Sequence, residues 1–404
     1  MRISTANMYD ASIANLQRRQ QTLQQQQAQL TSGKRVTQAS DDPTGAARAE
    51  RALASIGRVD ANQRALEASR NSMTLGDSAL GDANDLMQQA RETMVSAGNA
   101  SYTDSERLSL ANKLQGIRDQ LLSIANRSDG AGGYLFSGQG SANPPFLDQA
   151  GGVAYVGVSG TILTGNIDNF QLSIDGRGAW EQARSGNGTF VTDANPNSLD
   201  PSQPAQAWID SGRVIDPTKL TGQNYRIDIS GTAPTQTYTV TNVDTGAGVS
   251  SGDYSSGKSI DFDGMSMAIT GTPADGDNFS VAPATNSLKV FDVLDRAIAE
   301  LKTPQRTSAQ IAQSNNGRIR DMDAVMGNLQ NARSQVGERL NNLDGTESRL
   351  AALKQYGKEE QSAAEDLDMV QGISDFQNQQ TGYQTALQTY AMVQRLSMFQ
   401  YING

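Results

Sequence analysis

The residues of this chain that could do chemistry are nearly all carboxylates. The tightest pair is Asp41-Asp42, which follows Ser40 and precedes Pro43-Thr44-Gly45-Ala46-Ala47. Two acids converging on one substrate could act as general acid and general base. Neighbours ahead of a proline have a simpler use. Asp42 suits an N-cap, and Pro43 suits a first helical residue, where its missing N–H costs nothing. Asp41 then adds negative charge near the positive end of the helix dipole. Asp261-Phe262-Asp263-Gly264 and Asp275-Gly276-Asp277 carry fragments of a calcium-loop pattern. Neither has the further ligands or the closing glutamate, so both read as turns. Gly138-Gln139-Gly140 has no lysine after it to hold a phosphate and reads as a flexible domain junction. Tyr383, Tyr390 and Tyr401 could stack bases, but Arg395 is the only basic residue after Lys358, so packing is the better account.

What is missing narrows the field further. The chain has no cysteine and no histidine. That removes thiolate nucleophiles, sulfur- or imidazole-bound metals and Ser-His relays, and no cofactor is expected. With a net charge of −10, it is not a general binder of nucleic acid or of anionic membranes. No run approaches the length of a spanning helix, so no membrane insertion is expected. The start, Met1-Arg2-Ile3-Ser4-Thr5-Ala6-Asn7-Met8, lacks the apolar core of a secretory signal. On these grounds the chain reads as soluble and not exported by the general route.

The elements that hold these residues follow from breakers and periodicity. At 404 residues the chain has room for two or three domains. Nine of its 11 prolines, both tryptophans and nearly all of its net negative charge lie between 144 and 284. An acidic, Pro- and Gly-rich segment is thus inserted between two nearly neutral flanks. In the first flank Val59, Leu66, Met73, Leu80, Met87 and Met94 recur every seven residues. Their companions Asn62, Ser69, Gly76, Ala83, Ala90 and Ala97 are mostly small, which favours close helix approach. Leu110, Leu114, Ile117, Leu121 and Ile124 mark a second helix, opened by a capping box at Thr103 and Glu106. In the returning flank Met322, Leu329, Val336, Leu343 and Leu350 keep the same period. Between the flanks, Tyr225–Ile229, Thr237–Thr241 and Ser259–Phe262 alternate as strands separated by turn residues.

The fold class predicted is therefore mainly α with an inserted β domain. Both chain ends form a long coiled-coil-like bundle, and an antiparallel β domain occupies the middle. The domain reading is 1–42 with 360–404 as terminal helices, 43–143 with 285–359 as a helical bundle, and 144–284 as a β domain.

The two ends are built to meet. Tyr9, Leu16, Leu23 and Leu30 are seven apart, with Ile13 at the companion position followed there by Gln20 and Gln27. At the other end Val370, Ile373 and Phe376 precede Tyr383, Leu387, Tyr390, Val393, Leu396 and Phe399. Amphipathic helices with such polar seams gain most of their stability from packing. Two readings stay open: the ends pair within one chain, or they need copies of the same protein.

Leu30-Thr31-Ser32-Gly33-Lys34-Arg35-Val36, followed by Ser40-Asp41-Asp42-Pro43-Thr44-Gly45-Ala46-Ala47, resembles the N-terminal signature of the flagellin-like family. Met1–Thr5, Ala125–Gly130 with Gly133–Gly138, and Arg333–Leu340 are more similar to the family's hook–filament junction branch than to filament flagellin. The ending Leu396–Gly404 also departs from that expected of flagellin. The middle segment matches loosely, mainly at Gly271–Phe279. The resemblance implies nested layers, with terminal helices innermost and the β domain facing outward. It also implies an extracellular place in the flagellum, reached through the flagellar type III apparatus without a cleaved signal.

The function implied is a structural adaptor joining the hook, through another hook-associated protein, to the flagellin filament. Its partners would be copies of itself in a ring layer, that second hook-associated protein, flagellin, and a cytoplasmic export chaperone. The C-terminal amphipathic helix is where the chaperone is expected. Assembly would couple the folding of Tyr9, Ile13, Leu16, Leu23 and Leu30 against Val370 through Phe399, with the Ser40–Gly45 turn setting the angle between layers. The alternatives are filament flagellin itself and, from another class, a carboxylate-dependent hydrolase in the acidic middle segment.

Overall fold

The computed structural model describes the backbone of residues 2–99, 101–140, 142–194 and 206–402, and side chains within 10–99, 101–140, 142–194 and 206–392. The chain divides into two compact units. The helices are α1 (Arg2–Ser32), α2 (Pro43–Ala97), α3 (Asp104–Ala125), α4 (Gly176–Glu181), α5 (Val290–Lys302), α6 (Ser308–Glu365) and α7 (Met369–Ile402).

The first unit comprises residues 1–64, 166–168 and 346–404. In it α1 and α7 run antiparallel, with Leu30 beside Gly372 and Arg19 beside Gly382. Glycine at both places lets α1 come close. Asn62 of α2, fully buried at a heptad position, is not a packing defect. Its amide oxygen accepts from the backbone N–H groups of Asn166 and Ile167, both at 3.2 Å, so it anchors that short segment. Lys354 pairs with Asp60 at 2.7 Å and Arg349 with Asp168 at 2.7 Å.

The second unit comprises residues 65–165 and 169–345 and contains two cores. One is helical. Leu66, Met73, Leu80, Met87 and Met94 are buried on α2 as their period predicts, as are Leu114, Ile117, Leu121 and Ile124 on α3, and Met322, Leu329, Val336 and Leu343 on α6. The small companions Gly76, Ala83, Ala90 and Ala97 are buried too. The capping box of α3 forms both ways: Glu106 N donates to Thr103 Oγ1 at 3.3 Å, and Thr103 N donates to Glu106 Oε2 at 2.7 Å. Strongly amphipathic α5 buries Phe291, Val293, Leu294, Ala297 and Ile298.

Hairpins lie on this helical core. They are β1 (Phe146–Gln149) with β2 (Gly152–Tyr155), and β3 (Leu163–Thr164) with β4 (Phe170–Gln171). Phe146, Trp180 and Phe291 interlock there, the last two stacked at 5.7 Å between centroids. Arg118, itself buried, fastens β1 to α5 and α3. Its guanidinium donates to both oxygens of Asp148 (2.7 and 2.8 Å) and to Asp295 (2.5 Å).

After β5 (Ala183–Arg184) comes the β core. Its strands are β6 (Phe190–Ala194), β7 (Ala207–Ile209), β8 (Arg213–Val214), β9 (Tyr225–Ser230), β10 (Thr237–Asn242), β11 (Gly248–Asp253), β12 (Ser259–Phe262), β13 (Met265–Gly271) and β14 (Asn278–Pro283), and β15 (Asn286–Leu288) returns to pair with β5. One sheet has the order β11-β10-β9-β14-β6, the other β12-β13-β7 with β8 also on β13. Every pairing is antiparallel. Tyr225, Ile227, Ile229, Val240, Ile269, Phe279 and Val281 fill the space between the sheets, the alternate residues of strands with one dry face. The segment enters and leaves side by side, Phe190 of β6 being in register with Pro283 of β14.

Candidate assembly interface

The Ser40–Gly45 turn is built from its own carboxylates. Asp42 Oδ1 accepts from Thr44 N (3.1 Å), Gly45 N (2.9 Å) and the Thr44 hydroxyl (2.8 Å), which makes it the N-cap of α2, and Pro43 is the first residue of that helix. The Gly45 N–H, then the Thr44 hydroxyl and the Arg35 guanidinium, hold the Asp42 carboxyl down at about 2. Asp41 does something other than feed the dipole. Its Oδ2 accepts from Gln38 N (3.0 Å), Thr37 N (3.1 Å) and the Thr37 hydroxyl (2.9 Å), closing the loop behind the helix. The Gln38 N–H is the largest cause of its lowered pKa.

This turn also clasps the end of α6. Arg35 Nη1 pairs with Asp42 at 3.1 Å while Nη2 donates to the Ala364 carbonyl at 2.9 Å. Arg35 N donates to the Glu365 carbonyl at 2.7 Å, Leu367 N to the Gly33 carbonyl at 2.9 Å, and Lys34 pairs with Glu365 at 3.0 Å. Arg35 and Glu365 were not singled out from sequence. The opposed charges of Lys34-Arg35 and Glu365-Asp366 were the available signal.

The terminal helices sort the candidate residues into two faces. Leu16, Leu23 and Leu30 are half-buried on α1, and so are Phe376, Tyr383 and Tyr390 on α7. Their companions on α1 are Ser12, Arg19 and Gln26, also half-buried, whereas Ile13, Gln20 and Gln27 face outward. Within one chain Ile13 stays exposed, and the α1–α7 seam runs on the other flank of the leucine row. Gly372, Gly382 and Ala386 of α7 provide the space, Gly382 being in contact range of the Arg19 guanidinium.

A second apolar row remains outside. Ile13, Ile373 and Leu387 are exposed, Val370 is 82% exposed and Met392 63%. Tyr9, Val393, Leu396 and Phe399 lie outside the described side chains. The two-helix pair therefore uses one stripe of each helix and leaves another bare, a surface whose burial requires a further layer.

The remaining residues of chemical interest are occupied locally. Asp263, at φ +41°, accepts from the Tyr225 hydroxyl at 2.5 Å in the turn after β12. Asp275 accepts from Gly231 N at 2.8 Å and Asp277 from Ala274 N at 2.8 Å. Gly138-Gln139-Gly140 is not a loose junction. Gly138 N donates to the Ile174 carbonyl (3.2 Å) and Gln139 N to Val158 (2.8 Å), and a β-carbon on Gly138 would collide with the Val158 carbonyl. The glycine is there for close backbone approach.

Residues 3–141 match the family model described as the bacterial flagellin N-terminal helical region, and residues 202–283 match a D2-like domain of flagellar hook-associated protein 1. Flagellar hook-associated protein 3 of Escherichia coli is 26% identical over 417 residues, covering 99% of each chain. Its counterpart in Salmonella typhimurium is 38% identical over 154 residues, which span 38% of this chain and 48% of that relative. The crystal structure of flagellar hook-associated protein 3 from Legionella pneumophila superposes with a TM-score of 0.69 at 25% identity, covering 77% of this chain and 97% of that one.

Over nearly its whole length the chain is similar to flagellar hook-associated protein 3, and over its first third to the flagellin N-terminal region. The buried heptads of α2 and α3 and the Asp42 cap all fall within the stretch matched as the flagellin N-terminal region, so the family's recognisable sequence coincides with helical packing and turn chemistry. The strands from β7 to β14 fall within the D2-like match. Among the described residues, no helix of this flagellin-like chain is long and apolar enough to cross a membrane.

Proposed function

We propose that this flagellin-like chain is a structural subunit of the bacterial flagellum that joins the hook to the filament. The observation that carries the reading is the bare apolar row of Ile13, Val370, Ile373, Leu387 and Met392 on a layer only two helices thick. Burying it against the terminal helices of neighbouring copies removes apolar surface from water at about 25 cal/mol per Å². A ring layer of identical subunits satisfies every copy at once. The surfaces beyond the ring would be met by another hook-associated protein on one side and flagellin on the other.

The clasp at Arg35, Asp42 and Glu365 fixes the geometry between α2 and the terminal helices, the role proposed for the Ser40–Gly45 turn. The three-domain division, with 144–284 outermost, belongs to the same proposal. So does export through the flagellar type III apparatus with a cytoplasmic chaperone covering the apolar row of α7. No observation favours the hydrolase reading, since Asp263, Asp275 and Asp277 act as turn acceptors.

Immunogold electron microscopy of intact flagella with antibody to residues 190–283 tests the assignment. A single band at the hook–filament boundary is expected. Label along the whole filament would instead make the chain a flagellin, and unlabelled flagella would overturn the structural reading.

A further inference from the structure

A cleft of about 980 Å³ opens in the second unit between α6 and the strands β5 and β7. Along α6 it is lined by Asn316, Arg320, Asp323, Gly327 and Asn331. These are spaced by three and four residues and so form one face of the helix. Across from them stands Trp208. On β7 Ala207 and Ile209 point into the β core, which puts Trp208 on the opposite, half-exposed face. Gln182, Asn286, Asn328 and Asn331 also line a second cavity of about 470 Å³, which continues along the same helix to Arg339.

Of the charges lining the cleft, Arg184 has no ion pair among the described residues, and the others are spent. Asp323 pairs with Arg91 at 2.5 Å, Arg320 reaches Asp321 at 3.3 Å, and Asp210 accepts from Gly212 N and Ala268 N, both at 3.0 Å. The amides are not. Asn328 donates to the carbonyls of Gly178 and Ala179, but the side chains of Gln182, Asn286, Asn316 and Asn331 have no hydrogen bond among the described residues.

We infer that this groove binds a neutral oligosaccharide. Side-chain amides present a donor and an acceptor side by side, the pattern that neighbouring sugar hydroxyls complement. An indole offers a flat apolar surface with a polar edge, suited to the C–H face of a pyranose ring. Convergent polar groups around an aromatic surface are the usual make-up of a small-molecule site. A cationic ligand would find the cleft's carboxylates already held, and an anionic one would meet Arg184 alone. The inference does not depend on the junction assignment.

Tryptophan emission of the full chain reads the site directly. Trp180 is fully buried, so Trp208 is the tryptophan open to solvent and ligand. The chain is titrated at millimolar concentration with maltohexaose, cellohexaose and chitohexaose, and with glycerol and hexa-alanine for comparison. A saturable shift with at least one of the sugars is expected. Asn316→Ala and Asn331→Ala change exposed positions to a good helix former, so the fold should survive. Each is expected to raise the half-saturating concentration about tenfold at unchanged melting temperature. The proposal is overturned if none of the three sugars gives a saturable shift, if both substitutions leave the half-saturation point where it was, or if hexa-alanine alone saturates.

Discussion

Gly45 and Ala364, far apart in the chain, meet so closely that a β-carbon on Gly45 would lie 3.1 Å from the Ala364 carbonyl oxygen and 2.5 Å from the Asp42 carboxylate. The start of α2 and the end of α6 therefore share a contact in which only hydrogen fits. Gly45→Ala gains helix propensity, but it must push back either a backbone carbonyl or the N-cap itself. The net change expected is a loss of about 1–2 kcal/mol. Thermal melts compared with Gly57→Ala, where a β-carbon meets open space, separate the clash from the propensity gain.

Acid should loosen the same turn in a defined window. The Asp42 carboxyl is held at about 2, against an ordinary value of 3.8. A group depressed in the folded state contributes fully above its unfolded pKa and loses that contribution as pH falls through the folded one. The turn should thus be intact at about pH 5 and fail progressively toward about pH 2. Asp42→Asn, melted across that range beside the unaltered chain, is expected to show a shallower decline, with the two curves converging at the acid end.

Arg118 should be the costliest single charge to remove. Its side chain is only 6% exposed and serves two carboxylates, Asp148 and Asp295. Breaking a buried pair typically costs about 3–5 kcal/mol. Both acids here keep water contact, so Arg118→Met is expected to cost about 2–3 kcal/mol. Denaturant unfolding measures it, and Arg118→Met with Asp148→Asn should recover part of the loss.

The two faces of the terminal helices should separate by mutation. Leu23→Ala thins the seam and should expose α1 and α7 to protease in the free subunit. Leu387→Glu adds charge to the outward row and should leave protease protection unchanged. That second change should abolish incorporation into flagella and motility when it replaces the native chain. Equal motility for Leu387→Glu and the unaltered protein would remove the outward row from the assembly surface.

Much of this was legible because burial imposes period. The heptad rows from Val59 to Met94 and from Met322 to Leu350 are all buried, since a regular helix that packs along its length can hide only regularly spaced residues. Strands β9, β10 and β12 appear where alternation put them. Less legible was the choice between flanks of the leucine row on α1. Ile13 looks like a seam residue by hydrophobicity, yet the half-buried flank is that of Ser12, Arg19 and Gln26, with Arg19 set beside Gly382 of α7. Small residues on a partner helix decide such cases, and the pairing is not written in either helix alone. The anchoring role of Asn62 was hidden for the same reason: its partners, Asn166 and Ile167, are brought to it only by the fold.

The register of Phe190 with Pro283 bears on how such a protein can change over time. The strands that begin and end the sandwich leave the helical core as neighbours in one sheet, so their stems are already spaced as a short hairpin would space them. Everything from β6 to β14 can then be shortened, enlarged or exchanged as one cassette while the heptads beneath keep their register. A lineage is free to alter this segment without disturbing the packing of the helices beneath it.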